Sequence, residues 1–271
     1  MKRFLQHIFL AVLVVVGLLP GSVNAQVATS VNPSGFGDRQ FSMDTINSAK
    51  RIRDDDKMYQ ISVWRRVDLR EKYNLSLYGS GDNKANGIVS HIYKAVVDEN
   101  ALEVFADDEL TQPLSIAEFQ DNFWISANGD SIFTKQLYYI DFKEDFVFDR
   151  HHSDLVFDIK YIELVMPSPT NANAGQKTIG YIRYKDFINY FKNHPTARWI
   201  NFQNLSKSLT YDEAFESRLF RSVVRRFTNP DDALIADLVS SEHPNPEMQA
   251  YLNSLEFEYK LLEFENSLWE W

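Results

Sequence analysis

The chain has 271 residues, with 28 Lys and Arg against 38 Asp and Glu, and no cysteine. A net charge of −10 argues against a nucleic-acid binder, which carries a basic face, and against simple attraction to anionic lipid. Without thiols there are no disulfides, no thiolate nucleophile and no cysteine metal site. Aromatic residues make up 14% of the chain, ample material for a packed core in one large domain or two small ones.

The N-terminus has the layout of a cleaved secretory signal over residues 1–25. Lys2 and Arg3 supply the positive start, Ile8 to Leu19 form an apolar run, Pro20 and Gly21 end it, and Val23-Asn24-Ala25 fits the small-x-small cleavage rule. The run is shorter than the roughly 18 apolar residues of a spanning helix. No other stretch of the sequence is long enough to span. Removing Lys2 and Arg3 takes the net charge from −10 to −12.

Residues 26–45, rich in Ser, Asn, Gly, Pro, Thr and Gln, read as a flexible leader, and residues 46–271 as a single domain. The charged stretch 46–58 suggests a short helix. Tyr59, Ile61, Val63, Val67 and Leu69 share odd positions and predict a half-buried strand. A turn at Gly79-Ser80-Gly81-Asp82-Asn83 leads to a helix with Ile88, Ile92, Ala95 and Val96 on one face and Asn86 near its cap. Leu102 to Phe105 suggests a short strand. Ser115 and Glu118 fit a capping box opening a helix toward Trp124.

The centre is β-rich. Ile140, Phe142, Phe146 and Phe148 fall on even positions of Tyr138–Phe148. A second alternating run, Leu155 to Ile162, follows the polar Asp149–Asp154 segment, which predicts an antiparallel hairpin. After a loop at 167–177 the chain returns as a strand over Thr178–Tyr184.

The C-terminal third reads as helical. Tyr184, Phe187, Ile188 and Phe191 make one face. Thr210 and Glu213 form a second capping box, opening a helix with Tyr211, Phe215, Leu219, Val223 and Phe227 inward. Another helix is expected near Asp231. The last starts at Asn245-Pro246, with Pro at its first position, and can run to Trp271. The fold class is therefore α+β: an antiparallel strand-rich centre, flanking helices and a helical C-terminal third.

The search for chemistry is mostly negative, and no catalytic, cofactor or metal residue is nominated. The glycines and lysine of Gly79–Lys84 lack phosphate-loop spacing. His151-His152 is an adjacent pair, which in a strand points to opposite faces and suits a metal poorly. His91, His194 and His243 are isolated and read as surface or cap residues. The acidic runs lack calcium-loop spacing.

Two features invite a partner. On the predicted helix, Arg218, Arg221 and Arg225 form a basic stripe, read either as pairing within the chain or as a docking face for an acidic surface. The last helix is apolar on two faces: Met248, Leu252, Leu255, Tyr259, Leu262 and Trp269, and Phe257, Leu261, Phe264, Leu268 and Trp271. Both are buried by the fold, or one awaits another protein. The working expectation gives Leu255, Tyr259 and Leu262 to the core and Phe257, Leu261, Phe264 and Leu268 to a neighbour.

Trp64-Arg65-Arg66-Val67-Asp68-Leu69-Arg70-Glu71-Lys72-Tyr73-Asn74 resembles a signature of the GldN/PorN family. Phe142–Asp149, Thr210–Ser222 and Leu268-Trp269-Glu270-Trp271 resemble three further segments of that family, in the same order. The chain departs from the pattern at Phe146, where family members often carry tryptophan. The resemblance implies a non-enzymatic component of the Bacteroidetes type IX secretion and gliding apparatus, periplasmic and peripheral to the outer membrane. It further implies a ring built by self-association and with a GldK/PorK-type lipoprotein, and contact with the periplasmic part of a GldM/PorM-type motor protein. The rival readings are a periplasmic carboxylate-based hydrolase and a stand-alone ligand-binding protein. In the signature, Asp68 is expected to form a structural ion pair with a nearby arginine.

Overall fold

Alternation leading into the signature segment produces an interior strand, β1 (Lys57–Asp68), with Val63 and Val67 almost completely buried. A computed structural model of the protein describes residues 52, 54–79, 87–124, 136–167, 176–192, 194–199, 201, 208–239 and 243–268. The expected signal peptide, the leader, the turn beyond Gly79, Asn86 and Trp271 lie outside these residues. Among the described residues of the charged stretch, Asp54–Asp56 make one 3-10 turn, and β1 begins at Lys57, which pairs with Asp149.

The expected hairpin forms from β2 (Tyr139–Asp149) and β3 (Asp154–Met166), antiparallel with Asp149 opposite Asp154. Asp149 closes its turn by accepting from the backbone N–H of His151 at 2.9 Å and His152 at 3.3 Å. With β4 (Lys177–Arg183) and β7 (Val223–Phe227) these strands build a five-stranded antiparallel sheet in the order β4-β3-β2-β1-β7. A two-residue pair, β5 (Arg198–Trp199) and β6 (Leu209–Thr210), stands apart.

The register puts Val67, Ile140, Phe142, Ile162, Leu164 and Ile182 on one face. That face is covered by α2 (Ile88–Val97), α3 (Ile116–Trp124), α4 (Tyr184–Phe191) and α5 (Tyr211–Glu216); α1 (Leu75–Tyr78) adds Leu77. Phe119, Phe123, Phe142, Phe187 and Phe191 have no exposed surface. Each such side chain contributes about 1.5–3 kcal/mol by burial. Both expected capping boxes are present. Ser115 N–H donates to Glu118 at 2.9 Å and Thr210 N–H to Glu213 at 3.0 Å, and each acid's backbone N–H donates back to the hydroxyl.

Near the other end of the same face lies a second, smaller core. Val63, Phe146, Val224 and Ile235 meet Leu261 of the last helix, α6 (Pro246–Leu268). Phe257 of α6 stacks on Phe227 at 4.4 Å, and Phe264 packs on Tyr59 at 4.4 Å.

Four expectations are overturned. Leu102 to Phe105 is not a strand: Phe105 makes single bridges to Pro113 and Tyr181. The close approach of this segment depends on Gly180, where a Cβ would lie 2.4 Å from Val104. His91 is buried at 4% exposure between Phe191, His194 and Tyr211, not a surface or cap residue. The segment after Asp231 is turn, not helix, among the described residues. The predicted helix from Tyr211 to Phe227 stops at Glu216, and Val223–Phe227 instead pairs with β1.

The last reversal has a local cause. Leu219 N–H bonds to Ala214 O at 2.8 Å and Arg218 N–H to Phe215 O at 3.0 Å, with Arg218 at φ 50°. This is a Schellman stop with arginine in the left-handed position that glycine ordinarily takes. The β-branched Val223-Val224 that follows suits a strand.

Candidate interaction surface around the signature strand

The signature residues divide between the two faces of β1, and each face receives one arginine. Arg65 points to the covered face, between the two apolar cores. Its Nε bonds Glu144 of β2 and its Nη1 bonds Glu258 of α6. Glu144 is only 1% exposed, and its other oxygen accepts from Arg218 at 2.6 Å. Burial works against the charge of Arg65, but Glu144 and Glu258 outweigh it and hold the guanidinium above its ordinary pKa. The cluster therefore clips the last helix to the sheet. Removing one member of such a buried set costs about 3–5 kcal/mol, because a charge is left unpaired.

Arg66 points to the opposite face. It grips Asp141 with two bonds, 2.7 and 2.6 Å, and reaches Gln176 at 2.8 Å. Arg225 shares Asp141 at 3.4 Å; burial and the neighbouring Arg66 lower its pKa. Glu163 stands nearby, accepting from the Thr178 hydroxyl at 2.6 Å. Burial raises its pKa to about 7. These groups line a polar pocket of about 220 Å³ beside Trp64. The Trp64 indole donates to the Tyr161 hydroxyl at 3.0 Å, and Arg226 lies 3.8 Å above its ring.

Beyond β1 the signature makes a turn. Asp68 accepts from the Arg70 backbone at 2.9 Å and pairs with its guanidinium at 2.7 Å, the expected structural ion pair. Leu69 is fully buried. Asn74, also fully buried, donates to Asp68 O at 2.8 Å and Arg221 O at 2.9 Å, and accepts from Arg221 N–H at 2.8 Å. One amide thus ties the end of β1 to the segment entering β7. Sequence reasoning missed this clip and the Arg65–Glu144–Glu258 cluster. Arg65 sits beside Arg66, and Glu144 between Lys143 and Asp145, so no signal in the sequence singled them out.

The basic stripe is not a helix face. Arg218 pairs with Glu144, Arg221 donates to the Tyr251 hydroxyl at 2.7 Å and lies 3.7 Å from Glu71, and Arg225 faces Asp141. All three are engaged within the chain, as one of the two sequence readings had it.

The two faces of α6 are also exchanged relative to the expectation. Leu261 is buried, and Phe257 and Phe264 pack on the chain's own β-strands. Met248, Leu252, Tyr259 and Leu262 are 58%, 49%, 66% and 52% exposed, with Leu255 half-buried among them. Nothing is described of the Leu268 side chain. The helix is packed on one side, and its second apolar stripe faces outward. An open groove of about 980 Å³, lined by Tyr73, Leu75, Trp199, Leu209, Leu219 and Phe220, lies elsewhere on the surface.

Among the described residues no group of three or more His, Asp or Glu is gathered for a metal ion. His151 and His152 sit in the exposed β2–β3 turn, where His152 Nδ1 meets Asp149 at 2.5 Å. No helix among the described residues is long and apolar enough to cross a membrane.

The family model described as "Gliding motility associated protein GldN" matches residues 52–270. No curated protein matches the chain.

Proposed function

Because the chain belongs to the GldN family, and so to the gliding motility and type IX secretion machinery, we propose that it is a non-enzymatic structural part of that apparatus. In this reading residues 1–25 direct export and are removed, and residues 46–271 act as one domain in the periplasm, peripheral to the outer membrane. The protein self-associates in a ring with a GldK/PorK-type lipoprotein and meets the periplasmic part of a GldM/PorM-type protein.

The observation that carries the reading is the fate of the family signature. Arg65, Arg66, Asp68 and Asn74 are committed to buried or paired contacts that hold strands and the last helix together. The polar residues of the signature thus maintain a shape. Asp141 and Glu163 of the polar pocket are engaged by Arg66 and Thr178. An exposed apolar stripe on α6 adds a surface suited to a neighbour.

Purification of the tagged chain from native outer membranes, with sizing and peptide mass spectrometry, tests the proposal. The expected result is a very large particle containing a lipoprotein, with the mature chain starting at Gln26. Elution at monomer or dimer size without a lipoprotein overturns it and favours an enzyme or a small-ligand binder.

A further inference from the structure

The outward stripe of α6 has a spacing and a charge pattern that together specify a partner. Met248, Leu252, Leu255, Tyr259 and Leu262 follow one another at intervals of four, three, four and three, the seam of a two-stranded coil. The helix is already packed on its far side through Ser254, Phe257 and Leu261, so the seam is a second stripe that, among the described residues, has no partner. Glu256 and Glu263 border it on one side, and Glu265 on the other, beside Glu258, which is already paired with Arg65. Lys260 is the only base in the helix and is paired with Glu256 at 2.7 Å.

We propose that this stripe is a docking seam for an amphipathic helix of another protein with apolar seam residues and Lys or Arg at the flanking positions. A second copy of α6 is a poor occupant. Parallel pairing would set Glu263 against Glu258 of the other copy, and antiparallel pairing would set like flanks together, so both orientations juxtapose glutamates. The chain's own leader is equally unsuited: residues 26–45 contain Pro33, Gly35 and Gly37, and Arg39 is their only base. A basic-flanked helix satisfies both the apolar seam and the acidic borders. The inference goes beyond the ring reading and does not depend on it.

The test uses the full mature chain and two labelled synthetic 28-residue helices with leucine at the seam, one flanked by lysine and one by glutamate. Fluorescence anisotropy should show binding of the lysine-flanked helix, and binding of the glutamate-flanked helix at least about tenfold weaker. Leu252→Gln with Leu262→Gln should weaken the lysine-flanked helix at least about tenfold without lowering the melting temperature, since both side chains are exposed. Tyr259→Gln, at the most exposed position, should act in the same direction. Glu256→Gln with Glu263→Gln should weaken it several-fold, about the effect of two flanking charges.

Equal binding to wild type and the Leu252/Leu262 variant would mean attraction to net charge alone and overturns the proposal. So does equal binding of the two synthetic helices, or binding of neither. A free chain that sediments as a dimer, and becomes monomeric on Leu252→Gln with Leu262→Gln, would identify a second copy as the occupant and equally overturn it.

Discussion

Asn74 shows how much one side chain can hold. Its amide satisfies two backbone carbonyls and one N–H across 147 residues of sequence, at a site with no water access. Asn74→Ala leaves those groups without partners, so a loss of about 2–4 kcal/mol is expected in denaturant unfolding. Asp68→Asn, which weakens a pair whose Arg70 is half exposed, should cost no more than about 1 kcal/mol. Equal effects would refute the ranking. Glu163 makes a pH prediction. Its folded pKa of about 7 lies above the usual carboxylate value because burial disfavours its charge. The folded state therefore binds the extra proton between about pH 4.5 and 7, and stability from this group is full below that window and lost as pH rises through it. Glu163→Gln, permanently neutral, should be more stable than wild type at pH 8 by about 1–3 kcal/mol, with the advantage gone at pH 4.5. A pH-independent difference would contradict this account. The Asp68–Arg70 pair, two residues apart, was legible in the sequence; the roles of Asn74 and Glu163 were not, because they depend on partners farther along the chain.

At the scale of elements, alternation and caps carried most of the reading. β1 and the β2–β3 hairpin show period-two patterns bounded by polar turns, and α3 and α5 open on capping boxes; all are where the pattern put them. The failures share a reason. Phe215, Leu219, Val223 and Phe227 fit a helix face, but the helix ends at a Schellman stop that lacks glycine. The two faces of α6 are both apolar, so spacing revealed that there are two and left open which one meets the sheet. The stop at Arg218 predicts an order of stability. Arg218→Gly and Arg218→Ala both lose the bond to Glu144, but glycine relieves the left-handed backbone. The glycine variant should therefore be more stable than the alanine variant by about 1 kcal/mol in thermal or chemical unfolding. A helix continuing through this position would give the opposite order, since alanine is favoured over glycine in helix interiors by a similar amount.

At the scale of the molecule, the two arginines of the signature strand work in opposite directions from one backbone. Arg65 binds the last helix to the sheet, and Arg66 ties β1 to β2 and to Gln176 at the entry to β4. These contacts fit a scaffold: a family signature that maintains shape, with the outward stripe of α6 proposed as its face for a partner. The proposed seam makes fold and assembly separable at α6. The most direct measurement is the size distribution, in native outer-membrane extracts, of the chain carrying Leu252→Gln with Leu262→Gln, alongside the melting temperature of the same purified variant. The account predicts an unchanged melting temperature and a shift of the variant out of the large particle to monomer size. A variant that stays in the particle at wild-type levels, or one that unfolds, would contradict it.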